Sequence, residues 1–139
     1  MYARLGRGEE AWEQFVTLLR KNATVSLWDA AYSTEFFQID ANMGGAAYIC
    51  EALMQSRRDH LLLLPALPKD WKTGSVKNFR AQDGVTVSFC WKDGMLQNFT
   101  LCSRDDRALQ VHCGKQIWNL TLQAGKPLCI NCSKSDISK

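Results

Sequence analysis

Long apolar runs are missing from this 139-residue chain: the longest uninterrupted aliphatic stretch is Leu61 to Leu64, closed by Pro65. A helix that crosses a bilayer needs about 20 consecutive apolar residues, so a spanning helix is excluded. Met1-Tyr2-Ala3-Arg4-Leu5-Gly6 holds no apolar signal core, and the chain shows no export signal of its own. Charge of one sign is also scarce. The net charge is +3, and the basic residues alternate with acids, as in Arg57-Arg58-Asp59 and Arg104-Asp105-Asp106-Arg107. Neutralising a run of phosphates takes a one-sided basic stripe, so nucleic acid is not an expected partner. Histidine is limited to His60 and His112, and the single Cys-x-x-Cys, Cys129 and Cys132, has no matched second pair, so no metal site is expected.

What is present reads as a folded domain. With 46% hydrophobic and 22% charged residues, disorder is not the expectation. Six cysteines are many for this length, but Cys50, Cys90, Cys102 and Cys113 fall largely within apolar patterns, where a free thiol acts as a small buried hydrophobe; disulfide pairing is the alternative. Asn-x-Ser/Thr sequons stand at Asn22, Asn98, Asn119 and Asn131, and they matter only in a eukaryotic secretory pathway.

The period of the apolar pattern changes along the chain. From Glu9 to Arg20, Trp12, Phe15, Val16 and Leu19 recur at helical spacing. A second helical pattern runs from about Asn42 to Ser56, with Ala46, Ile49, Cys50, Leu53 and Met54 on one side. Gly44 and Gly45 there permit close backbone approach. After Pro65 and Pro68 the period falls to two. Val85, Val87, Phe89 and Trp91 alternate with Thr86, Ser88 and Cys90, and Lys92-Asp93-Gly94 supplies a hairpin turn into Met95 to Cys102. Leu109, Val111 and Cys113, then Trp118, Leu120 and Leu122, then Leu128 and Ile130 suggest further strands, together a small sandwich. Two amphipathic helices joined by a long loop cannot bury their stripes on each other alone. The first half therefore reads as part of a larger helical array, or else it packs on the sandwich.

Between the helices lies Glu35-Phe36-Phe37-Gln38-Ile39-Asp40-Ala41-Asn42-Met43-Gly44-Gly45, which mixes aromatics, amides and a carboxylate at a helix start. Loops of that composition bind ligands. Asp40 and Asn42 sit where an N-cap is expected, and a plain cap accounts for them structurally. The functional reading instead turns Asp40 toward a cavity, with aromatics as an apolar wall and Gln38 and Asn42 orienting a hydroxyl or a water.

The segment Phe37-Gln38-Ile39-Asp40-Ala41-Asn42-Met43-Gly44 closely resembles the FQIDGNFG motif of glycoside hydrolase family 95. Leu62-Leu63-Leu64-Pro65-Ala66-Leu67-Pro68, Trp71, Gly74-Ser75-Val76 and Phe79-Arg80-Ala81 resemble that family's LLPALP, W, GSV and LRAR blocks, and Tyr2-Ala3-Arg4-Leu5-Gly6 with Leu18-Leu19 resembles its YARLGDG and LL helix. The resemblance covers residues 2 to 95 in detail and the remainder in strand pattern.

The fold it implies is an α+β portion of an enzyme: two or three helices from an (α/α)6 toroid over 1–64, a small antiparallel β-sandwich over 65–133, and a tail over 134–139. The activity it implies is inverting hydrolysis of terminal α-L-fucosides or α-L-galactosides, with a fucosylated glycan as substrate and neither metal nor cofactor. Inversion needs an acid on one side of the bond and a base-activated water on the other. Position by position, Asp40 matches the family's general base, while Phe37, Gln38 and Asn42 support the sugar pocket. The acid Glu and the two water-holding asparagines have no counterpart here, so the partner the resemblance implies is the missing N-terminal part of the same enzyme, and the chain alone is expected to be inactive. The resemblance is compatible with a secreted or periplasmic parent. Two departures, Ser33-Thr34-Glu35-Phe36 before the motif and Ala41 and Met43 within it, put specificity in question. A non-catalytic carbohydrate-binding or scaffold module, stacking exposed aromatics such as Trp71, Trp91 and Trp118 on sugar rings, is the alternative, and it requires two or three of those indoles on one exposed face.

Overall fold

Helical geometry ends at Leu53 and extended geometry begins at Met54. The computed structural model describes residues 1–22, 30–31, 36–37 and 39–132, which divide into two units: 1–53 with 65–68, and 54–64 with the residues from 69 onward. The chain thus passes between the units three times, after residues 53, 64 and 68: two strands lie within 54–64, and Pro65–Pro68 belong to the helical unit.

In the first unit, a 3-10 turn over Tyr2–Leu5 is closed by Gly6 at φ 71°, whose N–H donates to the Ala3 carbonyl at 3.1 Å. Helix α1 follows over Gly8–Asn22, with Glu9 and Glu10 in its first turn and Arg20 and Lys21 in its last, each placed against the helix dipole. Strands β1, Ala30–Ala31, and β2, Phe36–Phe37, form a two-residue antiparallel ladder ahead of α2, Ile39–Leu53. The buried residues here are mostly small: Ala3, Ala11, Ala52 and Ala66, with Leu53. Small size is required at one point, because a Cβ on Gly8 would meet the Ala66 carbonyl at 2.6 Å. The Ala66 N–H in turn donates to the Ala52 carbonyl at 3.2 Å.

The apolar stripes are covered only in part. On α1, Trp12, Phe15 and Val16 are half-buried, but Leu19 is 41% exposed. On α2, Leu53 is buried with the following Met54, whereas Ala46, Ile49 and Cys50 are exposed. The expected buried side of α2 is therefore open along most of its length, and Ile39 and Met43 extend it toward the N-terminus. The glycine pair divides its roles. The Phe15 ring lies over Gly45, about 3.0 Å from where a Cβ would stand, while nothing lies within 4 Å of that position at Gly44.

The second unit is a β-sandwich of two four-stranded sheets. Its strands are β3 (Met54–Ser56), β4 (His60–Leu63), β5 (Gly74–Arg80), β6 (Val85–Lys92), β7 (Met95–Ser103), β8 (Arg107–Cys113), β9 (Gln116–Leu122) and β10 (Leu128–Asn131). One sheet runs β10-β7-β6-β5 and is antiparallel throughout; the other runs β3-β4-β8-β9, and its β4–β8 pairing is parallel. The β6–β7 turn has Asp93 at φ 53° and Gly94 at φ 74°, the left-handed pair that matches the twist of a two-residue hairpin. Val85, Val87, Phe89 and Trp91 are all buried, as the alternation predicts.

Strand β7 buries both Leu96 and Phe99, three residues apart, which an unbroken pleat forbids. A register shift resolves the conflict: Cys90 pairs with Asn98 but Trp91 pairs with Leu96, so the strand bulges at Gln97. Phe99 then meets Trp118 edge-on across the sandwich, with ring centroids 5.2 Å apart at 69°. At the other end of β6, Trp91 lies across Gly74, where a Cβ would strike the indole, and its Nε1 donates to the Trp71 carbonyl at 2.7 Å. Arg107 joins three separate segments, donating to the Asp83 carbonyl at 2.9 Å and to the Arg58 carbonyl at 3.0 Å, with Asp83 Oδ2 at 3.4 Å.

Candidate functional site

Asp40 stands in the first turn of α2 with its side chain exposed. The helix begins at Ile39, so Asp40 and Asn42 lie inside it instead of capping it, and a carboxylate there still gains from the unpaired amides and positive dipole end of the first turn. Asn42 is half-buried, one residue beyond half-buried Ala41. Phe37 pairs through its backbone with Ala30 in the short ladder that feeds α2. Gln38 and Glu35 lie outside the described residues.

A cavity of the helical unit has a volume of about 840 Å³ and reaches the N-terminal turns of α2. Ala41, Gly44 and Gly45 line it but Asp40 does not. Its aromatic wall is Tyr2, Phe15 and Tyr48, with the Phe15 and Tyr48 centroids 5.0 Å apart. None of these aromatics belongs to the segment singled out from the sequence. Of the three, Phe15 was legible as part of a helical stripe, Tyr2 stood in the Tyr2-Ala3-Arg4-Leu5-Gly6 block and Tyr48 carried no signal, because their convergence depends on how α1 packs on α2.

The acid–base groups on this cavity are paired. Arg4 donates to one Glu51 oxygen through Nε at 3.0 Å and Nη2 at 2.7 Å. That hydrogen bond raises the Arg4 pKa, with the charge of Glu51 adding to it. Glu51 is thus engaged as an ion-pair acceptor. Burial, with a smaller contribution from the Glu9 charge, raises the Tyr48 pKa, so its phenol is protonated at neutral pH. The cavity therefore offers aromatic and polar surface for contact, and the exposed carboxylate of Asp40 stands apart from it.

Trp71, Trp91 and Trp118 do not form an exposed platform. Trp91 is buried, and Trp71 and Trp118 are half-buried, Trp118 against Phe99. Among the described residues no group of three or more His, Cys, Asp or Glu is arranged to hold a metal ion. Cys90, Cys102 and Cys113 are half-buried, while Cys50 and Cys129 are exposed; all five carry free thiols. Burial pushes the Cys113 thiol up, consistent with its place as a partly buried hydrophobe.

Comparison with known proteins divides the chain where the geometry does. Residues 1–53 match the model of the glycosyl hydrolase family 95 catalytic domain, and residues 55–137 match that of the glycoside hydrolase family 95 C-terminal domain. Alpha-L-fucosidase 2 of Arabidopsis thaliana is 54% identical over 68 residues, which is 48% of this chain and 8% of that protein. Probable alpha-fucosidase A of Aspergillus niger is 29% identical over 103 residues, 66% of this chain and 13% of that protein. The chain thus spans only a small share of the length of the curated relatives it matches.

Proposed function

The chain belongs to glycoside hydrolase family 95, and from that premise we propose that it is the C-terminal portion of an inverting exo-glycosidase acting on terminal α-L-fucosyl or α-L-galactosyl residues, with Asp40 as general base. In this reading the helical unit belongs to the end of the catalytic toroid and the strand-rich unit is the family's C-terminal domain. The supporting observation is the position of Asp40. It lies in the segment matched to the catalytic domain, in the first turn of α2, with its carboxylate exposed. Asp40 does not line the cavity of the helical unit as the functional reading expected, so in this proposal the pocket around it is completed by residues of the rest of the enzyme, whereas Glu51 is tied to Arg4.

Inverting hydrolysis divides the work between two carboxyl groups roughly 6.5–9.5 Å apart, which leaves room for a water beneath the anomeric carbon. Asp40 takes the proton from that water as its oxygen attacks. An acid from the remainder of the toroid protonates the departing glycosidic oxygen. Phe37, Gln38 and Asn42 support the pocket around the sugar. The carbohydrate partners are fucosylated glycans, and the second partner is the rest of the same enzyme.

The test is Asp40→Asn in the full-length enzyme carrying this segment. Folding and sugar binding are expected to stay nearly intact while kcat falls by several orders of magnitude. Turnover close to wild type removes Asp40 from the mechanism. The chain alone is expected to leave an aryl α-L-fucoside uncleaved, because losing a general acid costs a factor of about a hundred or more; robust turnover by the chain would show that its own carboxylates suffice.

A further inference from the structure

Four Asn-x-Ser/Thr sequons remain unused by this reading, and the fold separates them sharply. Attachment of an N-glycan requires the Asn amide nitrogen and the hydroxyl two residues later to be offered together, and in a strand residues i and i+2 share a face. Asn119-Leu120-Thr121 lies on β9, an edge strand, with Asn119 and Thr121 both exposed and Leu120 turned toward the sandwich. The Asn119 Oδ1 accepts a hydrogen bond from Gln110 Nε2 at 2.8 Å, which fixes the amide, and among the described residues Nδ2, the attachment atom, has no hydrogen-bond partner.

The other three are placed less well. Asn98 is half-buried on β7, flanked on both sides by β6 and β10, and its direct cross-strand partner is Asn131. Carrying glycans on both would set two branched sugars on adjacent positions. Asn131 itself is exposed on edge strand β10, but Ser133 of its sequon lies outside the described residues. Asn22 is half-buried at the end of α1, and Thr24 also lies outside the described residues.

We infer that Asn119 is the principal N-glycosylation site of this chain when it passes through a eukaryotic secretory pathway. Both curated relatives compared above come from eukaryotes. In the transfer, Nδ2 of Asn119 forms a bond to C1 of the reducing-end N-acetylglucosamine of a lipid-linked oligosaccharide. The bond from C1 to the lipid pyrophosphate breaks, the pyrophosphate leaves with its electron pair, and the amide gives up one proton to solvent. The product solves a local problem of the fold. Ile117, on the same face of β9 and two residues away, is 56% exposed, and β9 presents an unpaired edge. A glycan at Asn119 covers both, the role that charged side chains play on other edge strands.

The experiment is to send the full chain, behind a cleavable leader, through the secretory pathway of a eukaryotic cell and map its asparagines by enzymatic deglycosylation in heavy-oxygen water. Conversion of Asn119 to labelled Asp in most molecules, above the occupancy of Asn98 and Asn131, is the expected result. Thr121→Val keeps Asn119 and its bond to Gln110 but destroys the sequon. It should remove one glycan from each chain, whereas Asn98→Gln should leave the mass of the dominant species unchanged apart from the substitution. A secreted chain with Asn119 unlabelled, or one whose main glycan survives Thr121→Val, overturns the assignment. The outcome is independent of the role proposed for Asp40.

Discussion

The two units of this chain bury different things. Among the described residues the strand-rich unit hides its large side chains, including Leu61, Leu63, Phe89, Trp91, Phe99, Leu101 and Leu122, and leaves few such groups, Met95 and Ile117, substantially exposed. The helical unit does the reverse, burying chiefly alanines while Tyr2, Leu5, Leu19, Ile39, Met43 and Ile49 face outward. Burial of large apolar groups is the main favourable term in folding, so the sandwich has a core of its own and the helices have half of one. The lesson is that the unit matched to the family's C-terminal domain covers its large apolar side chains within itself, while the unit matched to the end of the catalytic domain leaves most of its own exposed.

The largest test of that contrast is truncation of a central ring in each unit. Phe99→Ala should cost about 3–5 kcal/mol, because it empties the space between the sheets and strips Trp118 of its edge contact. Phe15→Ala, which removes a half-buried ring, should cost about 1 kcal/mol. Denaturant unfolding followed by hydrogen exchange in each unit separates the two values. Equal losses would break the comparison.

A smaller effect is expected where backbones approach closely. Gly8→Ala sets a Cβ against the Ala66 carbonyl, and Gly74→Ala sets one against the Trp91 indole. Each should cost about 1–3 kcal/mol by overpacking. Thermal melts of the two variants compare a backbone clash, which cannot rotate away, with a side-chain clash, which can. Gly8→Ala should therefore be the more damaging of the two, and the reverse order would mean that the β6 indole is the more rigidly held.

Surface changes should move association more than stability. An exposed apolar stripe of this kind promotes self-association, so the chain should sediment above its monomer mass at micromolar concentration. Met43→Glu combined with Ile39→Glu should return it toward monomer while altering unfolding by no more than about 0.5 kcal/mol per site. A wild-type chain that is monomeric across that range would show that the helical unit does not need the cover its composition implies.

The smallest effect is in pH. Asp59 accepts a hydrogen bond from His60 Nδ1 at 2.8 Å, and that bond lowers its pKa below the ordinary 3.8. Its contribution to stability is present above that value and fades as the pH falls through the lower folded-state pKa. In the helical unit, Glu10 lies below its ordinary 4.5 through a backbone hydrogen bond and one from Arg7, with the same sign. Asp59→Asn should flatten the acid limb of the melting-temperature profile only slightly, since the group is fully exposed. A large acid-side change would mean that this surface pair carries more than its exposure permits.

Where the fold was legible, a local rule sufficed. The alternation of Val85 to Trp91 turned directly into burial because one face of β6 is covered along its whole length. Asp93-Gly94 closed the expected hairpin because its left-handed backbone suits few other residues. The misses share one cause. Met54–Ser56 continued a helical stripe, and Leu61–Leu63 lay in an unbroken aliphatic run, yet both segments are strands, because β4 finds β8 some fifty residues later and aligns Leu61 with Val111. The bulge at Gln97 left no mark in composition. At the site, the position of Asp40 at the start of a helix was readable, but the Arg4–Glu51 pair, with its partners 47 residues apart, was not.

Sequence alone determined the sites of turns, the periods of the two halves and the block pattern that places the chain in its family, since each depends on sterics and spacing within a few residues. Tertiary structure decided which faces those elements show. An amphipathic stripe states that a helix has a side to bury, but what covers it comes from a surface remote in sequence. The outward side of α2 and the inward side of β4 are opposite outcomes of that one dependence.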